Sequence, residues 1–269
     1  MAYGAVTDTV RIVSPDDAET VGRLLLDAVD DGLAQPLAAL YLTGSAALDD
    51  YVPGVSDVDF VGVVGSAASG LLDRLAAVHA GLAQTDGIYV TAEQLRTEPA
   101  EVGEVPHARD GRAWLSDDQV IPVTWHTLAC HGVAIRGPAP AALGIRLERS
   151  ALKDWCRGNL RGYWAGWARA GSDPSTQAGR TLLTDWGVAW CVLGVLRLAY
   201  TIQTGEITSK RGAGRYGLAT LPPRWHPLVS EAIALRESAS RPAPPADPVA
   251  AAMRRGQAVA LMRSVIAGA

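Results

Sequence analysis

A mixed α/β domain followed by an all-α helical bundle is the architecture this sequence predicts. Three observations predict it. Short apolar segments of strand length alternate with helix-like segments through the first half. That alternation stops after Gly137-Pro138. Beyond it lie long apolar segments that hold six of the eight tryptophans. At 269 residues the chain is long enough for two cores. The boundary falls near residue 145, giving domains of 1–145 and 146–269, the first a sheet with flanking helices.

The elements follow in order. "SPDDAETVGRLLLDAVDDGL" (14–33) opens with a Ser-Pro turn and acids, then places Val21, Leu24, Leu25 and Val29 at helical spacing. "LAALYL" (38–43) and "DVDFVGVV" (57–64) read as strands. "GLLDRLAAVHAGLA" (70–83) puts Leu71, Leu75, Val78 and Leu82 on one helical face, "GIYVTA" (87–92) is a third strand, and "GVAIRGP" (132–138) a fourth. In the second half, 147–171 and 179–205 read as long helices ending on Gly171 and Gly205. Shorter helices near 225–237 and 247–267 flank the proline-rich "SRPAPPADP".

Composition narrows the function. A net charge of −4 argues against general nucleic-acid binding, which usually needs a basic face. Cys130, Cys156 and Cys191 are odd in number and far apart, so buried free thiols are expected rather than disulfides or zinc. The N-terminus lacks a charged-then-apolar leader, and no segment reads as a membrane span. These features predict a cytoplasmic protein, expected to be a monomer, with no membrane or nucleic-acid partner.

The stretch "LYLTGSAALDDYVPGVSDVDFVGVV" (40–64) carries the chemistry. Asp57 and Asp59 stand two apart in an apolar strand, where charge is costly unless something compensates it. Residues i and i+2 of a strand face one side, about 6–7 Å apart at the backbone. Both carboxylates can therefore reach one or two hard cations. Oxygen ligands with open positions suit Mg²⁺, which binds through one or two carboxylates plus substrate phosphates. Gly44-Ser45 supplies a tight turn whose N–H groups and hydroxyl can cradle phosphate oxygens. Ser56 adds a second hydroxyl beside the metal. A solvated strand edge explains a lone Asp-x-Asp, but not the whole combination.

"GSAALDDYVPGVSDVDFVGVV" resembles the signature of the polymerase-β-like nucleotidyltransferases. More narrowly, the chain resembles the streptomycin/spectinomycin adenylyltransferases, aminoglycoside-modifying enzymes with a helical C-terminal domain. The resemblance continues through "HGVAIRGP" (131–138), "VLGVLRLAYTIQTGEITSK" (192–210) and "LPPRWHPLVSEA" (221–232), so it spans both domains. It implies that Gly44, Ser45 and Ser56 hold triphosphate oxygens, and that Asp57 and Asp59 bind magnesium, two ions in all. Arg197 and Lys210 fall on the family's C-terminal phosphate-binding cations, so the helical domain would complete the ATP site.

Some positions depart from the family's pattern. The family's third carboxylate, a glutamate on the next strand, aligns with Asp86, one methylene shorter. The resemblance gives Asp86 the roles of metal ligand and of base for the attacking hydroxyl. Arg236 stands where the family has a tyrosine near the adenine; a guanidinium can also stack on a base. "RAWLSDD" places Trp114, Asp117 and Asp118 in the family's substrate-contacting segment. The family's acidic contact at the start of the long helix aligns with Gly187, with Asp185 close by. Trp186 and Trp190 read as bundle core, and His107, His126, His131 and His226 show no catalytic or metal spacing.

The sequence thus predicts transfer of AMP from Mg·ATP to a hydroxyl of an aminoglycoside or aminocyclitol, with pyrophosphate leaving. Two alternatives stay open: a nucleotidyltransferase with another small-molecule or protein acceptor, and a nucleotide-binding regulatory protein without turnover.

Overall fold

The computed structural model describes residues 17–66, 69–238 and 247–269. The expected Ser14-Pro15 helix opening and most of the proline-rich run 240–248 lie outside them. The chain forms two units. One holds the residues up to Ala47 together with Ser56–Arg146; the other holds Leu48–Val55 and Leu147–Ala269. The short loop 48–55 therefore groups with the helical half, although both its ends belong to the sheet.

The first unit runs α1 (Ala18–Gly32), β1 (Ala39–Leu42), α2 (Gly44–Ala47), β2 (Val58–Val64), α3 (Leu71–His79), β3 (Thr85–Thr91), α4 (Ala92–Arg96), α5 (Pro99–Val102), β4 (Val105–Arg109), β5 (Arg112–Ser116), α6 (Pro122–His131) and β6 (Val133–Arg136). Among the described residues its sheet has the order β5-β4-β3-β2-β1-β6. Only β2 and β3 are parallel neighbours, joined through α3. These two central strands are near-continuous apolar runs because both of their faces are covered.

One face buries Val61, Val63, Ile88 and Val90 with Trp125 and Leu128 of α6. On the other, Phe60, His79 of α3 and Tyr89 pack ring against ring. Asp17 caps α1 by accepting from the Glu19 N–H. Leu24, expected on the buried stripe, is exposed, while Leu26 is buried.

The second unit contains α7 (Arg149–Asn159), a π-helical turn at Leu160–Trp164, α8 (Ala165–Ala170), α9 (Gln177–Thr181), α10 (Asp185–Thr204), α11 (Lys210–Thr220), α12 (His226–Glu237) and α13 (Pro248–Ala267). Its core gathers on α10, where Val188, Cys191, Val192, Val195 and Leu196 are buried against the surrounding helices. One expectation needs correction. The single helix over 179–205 is broken, because the Thr184 hydroxyl accepts from the Gly187 N–H at 3.0 Å and starts α10 afresh. Among the described residues α10 has the length and composition of a membrane span, but Arg197 interrupts it and its apolar residues form the core of the helical unit.

Cys156 and Cys191 are buried and Cys130 is exposed; all three are free thiols. Burial pushes the Cys156 thiol up to about 12 and that of Cys191 higher still, which keeps both protonated and unreactive.

Candidate active site

The Gly-Ser turn and the aspartate strand meet because β1 and β2 pair antiparallel, with Leu42 opposite Phe60. The Thr43 N–H donates to the Asp59 carbonyl at 2.9 Å, and the chain then turns through Gly44 at φ +53°. That left-handed conformation favours glycine. Space demands it as well, because a Cβ on Gly44 would fall inside the Asp59 carboxylate. Asp59 thus lies directly against the backbone of the turn read as a phosphate cradle. Ser45 is half-buried, Ser56 is buried, Asp57 is exposed just before β2, and Asp59 is half-buried.

The next strand brings Asp86 alongside. In the parallel β2–β3 pair Asp59 sits opposite Asp86, so both carboxylates share one face of the sheet. On β4, Arg109 lies opposite Asp86 and His107 opposite Ile88, again on that face. His107 Nε2 is 2.8 Å from Asp86 Oδ1, and Arg109 Nε is 3.5 Å from Oδ2. Beyond them, the β4–β5 hairpin sets Trp114 opposite His107, with ring centroids 4.7 Å apart. A row of Trp114, His107, Asp86 and Asp59 therefore crosses four strands. Spacing alone gave His107 and Arg109 no role; they were missed because their relation to Asp86 is one of strand register.

No group of three or more His, Cys, Asp or Glu side chains is arranged to hold a metal ion among the described residues. Asp57, just before β2, and Asp59, on it, offer two hard oxygen ligands in the segment that adjoins the Gly44 turn. That donor set fits magnesium completing its shell on phosphate oxygens, rather than a cage built wholly from protein. The buried Asp86 already has His107 and Arg109 against it.

The remaining candidates lie elsewhere on the surface of this unit or in the helical unit. Asp117 and Asp118 are exposed at the end of β5, where the Asp118 N–H donates to Ser116 Oγ at 3.0 Å. In the helical unit, Arg197 on α10 donates through Nε to the Thr208 carbonyl at 3.2 Å. That contact fixes its guanidinium beside the segment that leads into Lys210, the first residue of α11.

Arg236 is buried, and its guanidinium is engaged by Asp50, with Nε 3.2 Å from Oδ2 and Nη2 2.7 Å from the carbonyl. Asp185 pairs with Arg254 at 2.7 Å, and Arg254 reaches Glu231 at 3.0 Å. Gly187 cannot take an acid without moving this turn, because a Cβ there would meet the Thr181 carbonyl. Trp190 packs among Trp164 and Trp167, but Trp186, expected in the core, is 41% exposed and stacks on Trp190 at 5.4 Å.

The comparisons with known proteins bear on the fold and on the helical half. Residues 178–255 match the family described as aminoglycoside adenylyltransferase, C-terminal domain. In fold the chain is similar to the spectinomycin adenyltransferase AAD(9) from Enterococcus faecialis, whose crystal structure contains ATP and spectinomycin. The two share 12% identity with a TM-score of 0.58, over 91% of this chain and 99% of that one. That likeness shows the fold. No curated protein matches the sequence.

Proposed function

We propose, from the match of residues 178–255 to the C-terminal domain family of the aminoglycoside adenylyltransferases, that the protein transfers AMP from ATP to a hydroxyl of an aminocyclitol or aminoglycoside. Expression of such an activity would confer resistance to the drug. The observation that carries the reading is the packing of the Asp59 carboxylate on the Gly44 backbone, with Asp86 in register on the neighbouring strand. The Gly44 turn, Asp59 and Asp86 share one patch of sheet, which supports reading them as phosphate cradle, metal ligand and third carboxylate. The similar fold of AAD(9), solved with ATP and spectinomycin, supports the same assignment.

In this reading Gly44, Ser45 and Ser56 hold triphosphate oxygens, and Asp57 and Asp59 hold magnesium, which supplies neutralising charge to the triphosphate when bound. Arg197 and Lys210 add fixed cations, the guanidinium as a planar fork and the ammonium as a point charge. The acceptor hydroxyl gives its proton to Asp86 and its oxygen bonds to the α-phosphorus. The bond from that phosphorus to the β-phosphate oxygen breaks, and pyrophosphate leaves. Trp114, at the end of the row, offers an aromatic face to a cationic acceptor, with Asp117 and Asp118 as nearby exposed carboxylates. Arg236 is committed to Asp50 through Nε and Nη2 and is left out of this assignment, as is Asp185, which is held by Arg254.

Pyrophosphate release from Mg·ATP, measured against a panel of aminocyclitols and aminoglycosides, tests the proposal. Release should require a drug of this class and fall at least a hundredfold in Asp57→Asn and in Asp59→Asn. Arg197→Ala should weaken ATP binding by about 1–3 kcal/mol, the range for hydrogen bonds to charged groups. Transfer of label from ATP to protein, with no drug dependence, would favour a different acceptor and overturn this one.

A further inference from the structure

We infer that His107 is a positioning residue for the Asp86 carboxylate, fixing which of its two oxygens faces the acceptor hydroxyl. The inference rests on the base role proposed for Asp86 and adds to it a residue outside the phosphate and metal set.

Three observations carry it. His107 is 1% exposed, and its Nε2 is 2.8 Å from Asp86 Oδ1. A carboxylate oxygen can only accept, so the ring must donate through an Nε2–H. Nδ1 is enclosed and has no hydrogen-bond partner. Since Nδ1 is sealed from solvent, His107 cannot itself reach an acceptor, and only the carboxylate can take the proton. Oδ2, in contrast, meets only the half-exposed Arg109 at 3.5 Å, too long for a strong hydrogen bond.

The ring is in turn wedged against Trp114, with centroids 4.7 Å apart at a 42° tilt. Asp86 is thereby held by one oxygen from inside and left with the other outward. A shorter carboxylate needs such a hold, because an aspartate that turned about its Cβ–Cγ bond would present either oxygen. General-base catalysis depends on the acceptor atom lying within hydrogen-bond reach of the proton it removes. Geometric misplacement of about 1 Å can cost about a hundredfold in rate. The surrounding packing makes His107 the part of the site that sets this geometry.

The test uses the full chain with Mg·ATP and spectinomycin as the probe acceptor, under single-turnover conditions. His107→Phe keeps the ring against Trp114 and removes the donor; His107→Met does so without an aromatic ring, in case the first variant folds poorly. Both should lower the transfer rate about 10- to 100-fold while the ATP dissociation constant and acceptor KM stay within threefold. His107→Gln, which restores an N–H near the Nε2 position, should recover most of the rate. In the Asp86→Asn background, His107→Phe should add nothing further, because the two act as one unit.

A folded donor-less variant with a rate within threefold of wild type would overturn the inference while leaving the base role of Asp86 standing. Wild-type turnover by Asp86→Asn would overturn the base role itself, and the inference with it. Loss of rate in all three His107 variants, with no rescue by Gln, would assign the residue to packing alone.

Discussion

Two buried aspartates receive arginines in this protein, and the difference between them separates a structural charge from a chemical one. Asp50, in the loop 48–55, is enclosed on every side. Arg236 and Arg211 both pair with its carboxylate, and the Arg211 N–H at the start of α11 donates to it as well. Asp86, on the sheet, has one oxygen bound from within by His107 and the other near a half-exposed arginine. In the first case two guanidinium groups neutralise a buried carboxylate whose Oδ2 takes the hydrogen bonds, while Oδ1 has only the ion-pair contact with Arg211 at 3.3 Å. In the second one oxygen is held by a buried ring at 2.8 Å and the other meets a half-exposed arginine at 3.5 Å. From sequence alone Asp86 had a catalytic role and Asp50 had none, while Arg236, now found on Asp50, was a candidate at the nucleotide.

The comparison breaks most easily at Asp50. Asp50→Asn keeps the shape but leaves two guanidinium groups facing an uncharged amide in a buried site. Removing one partner of a buried ion pair costs about 3–5 kcal/mol. Thermal or urea unfolding should show a loss of that size, with transfer rate per folded molecule little changed. Stability within about 0.5 kcal/mol of wild type, the usual scatter of inert surface changes, would show that the pairs are incidental.

A second buried histidine sharpens the same contrast. His79 is fully buried, 2.8 Å from the Tyr89 hydroxyl, and burial lowers its pKa from the ordinary 6.5 to about 4. Between those values the unfolded chain takes up a proton that the folded one refuses. Stability is therefore fully present above about pH 6.5 and is lost as the pH falls toward 4. At 1.36 kcal/mol per unit, that loss is on the order of 3 kcal/mol. Urea melts of wild type and His79→Gln at pH 7 and pH 4.5 should show the acid-induced loss shrinking in the variant. An equal loss in both would exclude His79 as its source.

Gly44 offers a smaller effect on stability. Gly44→Ala forces a side chain into a left-handed backbone position, costing roughly 1–2 kcal/mol, and pushes the Asp59 carboxylate off its seat. Calorimetry should show reduced ATP affinity and a modestly lower melting temperature. Unchanged ATP affinity would separate the turn from the nucleotide.

Much of the fold was legible because its signals are local. β1, β2 and β3 are short apolar runs bounded by turn residues, and α10 is a long apolar segment closed by Gly205. The β4–β5 hairpin was missed, although Asp110-Gly111 is a two-residue hairpin turn with φ of 48° and 79°. Pro106 obscured it, since proline argues against a central strand. In the fold, β3 pairs only with His107, Ala108 and Arg109, so Pro106 lies past the pairing that its missing N–H would spoil.

The same hairpin explains what the site reading lacked. Asp57, Asp59 and Gly44 are neighbours in sequence or across one strand pair, and the chemistry proposed for them was read from their spacing. His107 and Trp114 reach Asp86 only through a register that no single stretch of sequence contains. Asp50 and Arg236 lie further apart still, 186 residues along the chain, and nothing local announces their pairing.

The most direct measurement applies one substitution at both aspartates. Single-turnover AMP transfer and unfolding free energy are compared for Asp86→Asn and Asp50→Asn. Asp86→Asn should keep its fold and its ATP affinity while losing about 10²–10⁴-fold in transfer rate, the range for a general base; Asp50→Asn should lose stability and keep the rate. Transfer by folded Asp86→Asn within threefold of wild type would contradict the account, and so would a rate loss in Asp50→Asn as deep as that in Asp86→Asn.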